Sequence, residues 1–382
     1  MSNTEEEFAE ARKLHEEERI IDAERAYREI LSTDPEHTEC LHMLGIAVAQ
    51  LGRVEEGIEL LREAVERDPR NSQFQSNLGE ALRQAGKIDD AISAFRNAIE
   101  INSDNFDANH SLAVLMAERG KMTEAIDFAR RATELKPSNA TAHVSFGDIL
   151  RRNNNSAEAM KAAMRALEIV PDYEKALNLR GLLLREQGQY EEAISSFEAG
   201  LRTRPSSNAN RLNLAVSLTA LGRYEEAIAV YEEYLRRARK DPIAYIGLGQ
   251  VHRLHEKFLA SERRLIEGLK LFPRFRALHY ELGLTFIAMG RLDEAGEYLA
   301  TAAKGDGALP DANIAYGKFL LQTARLAEAA VQFDSALNKQ PADEVAKDGL
   351  AQARGEVPIN VNWRDGSAFP APVSEKSDES SD

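Results

Sequence analysis

Small and bulky residues return along this chain with a period of 34. The run YEEAI stands at residues 190–194 and again at 224–228, and a frame started at Thr4 continues without a gap to Asp343 as ten units. Position 8 of every unit is Ala or Gly, from Ala11 and Gly45 to Gly283 and Gly317, and position 20 is always small, from Ala23 and Gly57 to Ser261 and Ala329. Two helices approach closely only where their side chains are small, so paired small positions twelve residues apart predict a helical hairpin whose arms touch there.

Larger apolar residues complete the seam. Positions 4, 7, 8 and 11 fall on one helical face, and position 11 is apolar (Leu14, Val48, Leu82, Met116 and so on) in every unit except the one that places His252 there. A Gly near position 15, such as Gly52 or Gly188, supplies the turn. The second helix then carries a bulky position 24 (Tyr27, Phe95, Phe197, Phe333), and Pro near position 32 (Pro35, Pro69, Pro205) stops it.

One unit departs from this punctuation. In the stretch "YLRRARKDP" the usual proline site holds Arg239, and Pro242 opens the next unit, where a helix's first turn accepts it. The frame itself is intact, since Ala215 to Gly249 still spans 34 residues. The displaced proline predicts that the preceding helix runs on by about one turn, roughly 5 Å, and that Arg236, Arg237, Arg239 and Lys240 form a basic docking spot. The same displacement recurs where Gly307 takes position 32 and Pro310 opens the tenth unit.

These residues resemble the tetratricopeptide repeat family over about nine-tenths of the chain. The resemblance implies an all-α fold, a right-handed superhelical solenoid of ten 34-residue helix-turn-helix repeats over residues 4–343. A capping helix over 344–354 would cover the last apolar face. Departures exist: the family's aromatic at position 4 is replaced by Gln75, Asn109, His143 or Arg211, and the first unit has Glu10 at position 7. Residues 355–382, rich in Pro, Ser and acid, are expected to be a disordered tail. The lone tryptophan there, Trp363, is either an aromatic anchor for a groove or part of an unbound linker.

In the family, positions 2, 5, 9 and 12 line the concave wall. Carried onto the third to sixth units, they select a polar wall of mixed sign: Gln73, Ser76, Glu80, Arg83, Asp107, His110, Val114, Thr141, Asp148, Arg151, Lys175, Asn178 and Arg185. In the eighth to tenth units they select Ile246, Gln250, Arg253, Tyr280, Leu284, Ile287, Ile314, Lys318 and Leu321. Apolar side chains on a nominally exposed face want a partner. That end is therefore the expected partner-binding groove, unless neighbouring helices or a second copy of the chain cover it.

Composition narrows the function. A net charge of −15 argues against nucleic acid or an anionic membrane as the main partner. A single cysteine, Cys40, excludes an internal disulfide, and no leader or long apolar run is seen, so a soluble, cytoplasmic protein is expected. No phosphate loop, His-Glu-x-x-His or Cys/His ligand spacing occurs. His252 and His255 lie on successive helical turns in different surroundings, and Glu pairs such as Glu55–Glu56 and Glu225–Glu226 suit helix starts, where negative charge meets the dipole. No catalytic residue, metal or cofactor is expected.

The family's chaperone-tail clamp is not matched, and its asparagine ladder is reduced to Asn77 and Asn213. The expected function is a non-catalytic scaffold that binds peptide segments or partner proteins. Two alternatives stay open: a targeting or regulatory subunit of a separate enzyme, such as a glycosyltransferase complex, and a homodimer formed through the apolar C-terminal repeats.

Overall fold

The structure is a computed structural model in which residues 3–305 and 307–360 are described. The described residues are all-α, with 21 helices and no strand. The chain divides into two compact units, residues 1–187 and 188–382.

The first unit holds α1 (Asn3–Glu16), α2 (Ile20–Thr33), α3 (Thr38–Gln50), α4 (Val54–Arg67), α5 (Ser72–Gln84), α6 (Ile88–Ile101), α7 (Phe106–Glu118), α8 (Met122–Leu135), α9 (Ala140–Arg152), α10 (Ser156–Ile169) and α11 (Glu174–Glu186). The second holds α12 (Tyr190–Thr203), α13 (Asn208–Ala220), α14 (Tyr224–Arg237), α15 (Pro242–Leu254), α16 (Phe258–Leu271), α17 (Arg276–Ala288), α18 (Leu292–Ala302), α19 (Pro310–Gln322), α20 (Leu326–Lys339) and α21 (Glu344–Ala353). From α3 onward the first helices start 34 residues apart, at Thr38, Ser72, Phe106 and so on, and the second helices keep the same step from Ile20.

Local chemistry sets the helix ends. Asn71, Asn105 and Asn139 stand one residue before a first helix and accept hydrogen bonds from its opening N–H groups, while Ser207, Asp241 and Asp343 do the same in the second unit. The turn between paired helices needs a left-handed residue. Glycine supplies it at Gly52 and Gly86, with φ of 87° and 73°. Where the sequence has no glycine, Glu18, Asn154, Glu256 and Ala324 adopt φ of 56–60° instead.

Inside each hairpin the position-8 and position-20 residues let the arms meet. A Cβ added to Gly45 would lie 2.8 Å from Leu61 Cγ, so α3 and α4 pack at a distance that only glycine permits. The position-24 aromatics fill the space beyond this contact: Tyr27 and Phe95 in the first unit and Phe197 and Phe333 in the second are all fully buried. Large buried rings of this kind dominate core energetics.

On the second helices of the first unit, position 25 of one repeat pairs with position 19 of the next. Arg28 meets Glu56 at 2.6 Å, Arg62 meets Asp90 at 3.8 Å, Arg96 meets Glu124 at 2.7 Å and Arg130 meets Glu158 at 3.0 Å. Exposed pairs contribute about 0.2–1 kcal/mol each, so the row biases register between repeats more than it supplies stability. At the corresponding site of the next repeat the residue is Met164, which is exposed, and the row ends there.

The displaced prolines act differently from the expectation. α14 ends at Arg237 and has 14 residues, like α2 and α4, so no extra turn forms. Asp241 accounts for this: one carboxylate oxygen caps Ile243 N–H at 2.9 Å while the other accepts a hydrogen bond from the Tyr234 hydroxyl, which ties the end of α14 to the start of α15. Pro242 then takes the first helical position, where its missing N–H leaves no bond unmade. After the second displaced proline the preceding helix is shorter, since α18 stops at Ala302 after 11 residues.

Beyond α21 the chain turns at Gly355, with φ of 75°, and Asn360 N–H donates to the Gln352 side chain at 2.8 Å. Residues 361–382, with Trp363 and the acidic end of the expected tail, lie outside the described residues.

Candidate functional site

The apolar residues expected to line an open groove in the second unit are core residues. Ile246, Tyr280, Leu284, Ile314 and Leu321 are 2–8% exposed, and all but Ile246 belong to one buried cluster with Leu299 and Phe333, against which Ile287 packs. The correction has a simple cause. Position counting gives the direction a side chain leaves its helix, and here the neighbouring elements cover that direction. Burial of these side chains removes water from apolar area on folding, the ordinary source of stability.

What remains accessible there is mostly polar. Gln250 and Lys318 are half-buried, and Arg253 pairs with Glu281 at 3.0 Å with both side chains largely covered. Beside that pair, the Ser261 hydroxyl bonds Gly249 O and Thr285 Oγ1, each at 2.8 Å, so this junction of α15, α16 and α17 is a satisfied buried network. Of the expected basic spot, Arg236 and Arg237 both pair with Glu233, at 2.6 and 2.9 Å. Arg239 and Lys240 are exposed and have no ion-pair partner among the described residues.

The first unit presents a different face. Along its first helices a row of polar side chains reaches from each helix to the next. His15 Nε2 meets Gln50 Oε1 at 2.8 Å, and Asn77 Nδ2 meets His42 Nε2 at 2.9 Å. His110 Nε2 meets Ser145 Oγ at 3.0 Å, Thr141 meets the Tyr173 hydroxyl at 2.9 Å, and Arg151 bridges Asp148 and Glu186. Gln73 Nε2 stands 3.2 Å from Asn77 Oδ1 and 3.4 Å from Asp107 Oδ2, which joins three helices in one chain of bonds.

At the start of this row, Phe8, Arg12, His15, Glu39, His42 and Phe74 line a cleft of about 360 Å³. His42 stacks on Phe74 with ring centroids 4.2 Å apart. Burial pushes its pKa down to about 4, and burial likewise lowers His110 against the pull of Asp107 and Glu80. Both rings are therefore neutral near pH 7 and serve as hydrogen-bonding groups. Ser76, between them in the repeat order, is 1% exposed and its hydroxyl has no partner among the described residues.

The lone cysteine and the paired histidines of the sequence are held in structural roles. Cys40 is fully buried, its Sγ faces Tyr27 O at 3.4 Å, and burial pushes its pKa up to about 12, far from thiolate chemistry. His252 is buried, while His255 pairs with Glu225 at 3.1 Å. Among the described residues no group of three or more His, Cys, Asp or Glu side chains is placed to hold a metal ion. No helix among them is long and apolar enough to cross a membrane.

Sequence reasoning named Gln73, Ser76, Asp107, His110, Thr141 and Arg151 in this row. It missed His15, His42 and Ser145, and it noted Asn77 only as a remnant of a ladder. His42 occupies position 5 of the second repeat, one of the four wall positions. Asn77 and Ser145 sit at position 6, which the rule omits; their signal was their spacing of 35 from His42 and His110.

Comparison with known proteins agrees with the hairpin geometry. Two family models, each described as tetratricopeptide repeat, match residues 76–140, 129–174 and 178–242 and residues 14–79 and 263–353. No curated protein matches the chain significantly. Among solved structures, a tetratricopeptide repeat protein from Parabacteroides merdae superposes with a TM-score of 0.56 at 19% identity, covering 65% of this chain and 98% of its own. Yeast Tom70 superposes with a TM-score of 0.52 at 14% identity over 92% of this chain and 96% of its own. At such identities the likeness is one of fold alone. The repeats matched along most of its length place the chain in the tetratricopeptide repeat family, whose members serve generally as scaffolds that bind other proteins.

Proposed function

We propose that the chain is a non-catalytic scaffold that holds extended segments of partner proteins against the first-helix face of residues 1–187. One observation carries the reading: the row from His15 to Glu186, in which neutral and paired polar groups cross from helix to helix. Such a row offers a peptide backbone donors and acceptors at each repeat. Charges at Asp107, Asp148 and Arg151 set its register.

In the second unit, Gln250, Ile287 and Lys318 retain access and are assigned a lesser part in binding, while Arg253 is largely covered in its pair with Glu281 and Ile246, Tyr280, Leu284, Ile314 and Leu321 belong to the core. Partners are proteins rather than nucleic acid, in keeping with the net charge of −15. A cytoplasmic location fits one buried, unpaired cysteine.

The test is a crosslinking pull-down from the native host with the wild type and with Asp107→Arg combined with Arg151→Glu. Both positions lie on the face, so the reversal should reduce capture of a directly crosslinked partner at least tenfold while the circular-dichroism melt shifts little. Equal capture by the two proteins would contradict the reading.

A further inference from the structure

We infer that the cleft between α1, α3 and α5 is a specific subsite for an apolar side chain of a partner segment that carries basic residues on either side. The inference rests on the proposed scaffold function and deepens it. It begins with the direction of the hydrogen bonds in the polar row. Asp107 accepts only, so the Gln73 group facing it is the amide nitrogen, and that nitrogen also faces Asn77 Oδ1. Asn77 Nδ2 is therefore the group turned to His42, at 2.9 Å, and an amide nitrogen only donates. His42 Nε2 accepts, and the ring proton sits on Nδ1.

That Nδ1–H has no acceptor among the described residues, although the His42 side chain is 5% exposed and lines the cleft. The nitrogen is not sealed from solvent, so the donor opens on the water of the cleft, where a protein acceptor can replace that water. A peptide carbonyl entering the cleft supplies one. The ring cannot rotate to satisfy itself, because it is stacked on Phe74 and its other nitrogen is held by Asn77.

The floor of the cleft is apolar. Phe8 and Phe74 are 5% and 4% exposed, and Met43 is half-buried beside them. A volume of about 360 Å³ accommodates one large side chain with its flanking backbone, near the lower end of ligand clefts.

Charge selects the flanks. Glu5, Glu39 and Asp107 occupy position 2 of their repeats, all exposed, and none has an ion-pair partner among the described residues. The cleft itself adds Arg12 and Glu16, which pair with each other at 3.9 Å. The uncompensated charge along this edge is thus negative, and lysine or arginine on the incoming segment complements it. From α1 to α7 is three helix steps of about 8–10 Å, or roughly eight or nine residues of extended chain.

The experiment uses the full chain and a blocked, fluorescein-labelled peptide of nine residues with a central phenylalanine between two lysines on each side. Its controls carry a central serine, or glutamates in place of the lysines. Fluorescence anisotropy should show the lysine-flanked phenylalanine peptide binding at least tenfold tighter than either control. His42→Phe, which keeps the stack on Phe74 and removes the N–H, and Glu39→Lys, on the exposed rim, should each weaken it at least tenfold. With benzoylphenylalanine at the centre, crosslinks should fall on α1, α3 or α5. Equal affinity for both variants, or no binding of the peptide, would overturn the subsite. Crosslinks confined to α15, α17 or α19 would also overturn it while leaving the scaffold reading in place. The scaffold reading falls separately if the Asp107 and Arg151 reversal leaves partner capture unchanged.

Discussion

Phe333→Ala should lower the unfolding free energy of the C-terminal end of residues 188–382 by about 3–5 kcal/mol, the range for deleting a fully buried ring. Phe333 has no exposed surface and lies where two first helices converge on it. A Cβ on Gly317 of α19 would stand 2.8 Å from its Cζ, and a Cβ on Gly349 of α21 would collide with the same ring. The ring is the common filling of the last hairpin and its cap. Removing it leaves a cavity that glycines on both sides cannot fill. Repeat arrays are held by nearest-neighbour interfaces, so the loss should appear first as exchange of α19–α21 amides. Urea unfolding with hydrogen-exchange readout checks this. A loss under about 1 kcal/mol, with α21 still protected, would show that the cap does not depend on Phe333.

Lowering the pH from 7 to 5 should cost the first unit about 2 kcal/mol through His42 alone. Burial holds its folded pKa at about 4, below the ordinary 6.5 of the unfolded chain. Between those values the unfolded state binds the proton and the folded state does not, so stability is fully present above 6.5 and is lost as the pH falls toward 4. One pKa unit is about 1.4 kcal/mol, and pH 5 lies some one and a half units below the unfolded value. His42→Gln keeps a hydrogen-bonding side chain and cannot titrate. The wild type should therefore lose about 2 kcal/mol more than His42→Gln between pH 7 and 5 in urea melts. Parallel losses would mean that the ring is not buried neutral.

Much of the fold was legible because a helical hairpin needs so few things at fixed places. Ala or Gly at position 8, a small residue at position 20, bulk at 24 and a turn residue near 15 are local demands, and each is met by residue type alone. That is why the starts of α3 to α21 fall on the 34-residue frame. The length of α14 was not legible, since the connection from Tyr234 to Asp241 holds the helix end while the proline only moves.

The site was half legible for a related reason. Position counting found Gln73, Asp107 and His110. It also placed Leu284 and Ile314 on an open wall when neighbouring elements cover them. Whether a side chain faces water depends on the next repeat's side chains as well as on its own position. The proton on His42 Nδ1 was beyond any pattern, because Asp107 fixes it through Gln73 and Asn77 across three helices.

Hydrogen exchange of the protein with a captured partner, against the protein alone, tests the proposed binding face most directly. Slowed exchange should concentrate on α1, α3, α5, α7 and α9, with α2, α4, α6 and α8 unchanged. Protection confined to those second helices, or to residues 188–360, would contradict the assignment of partner binding to the first-helix face.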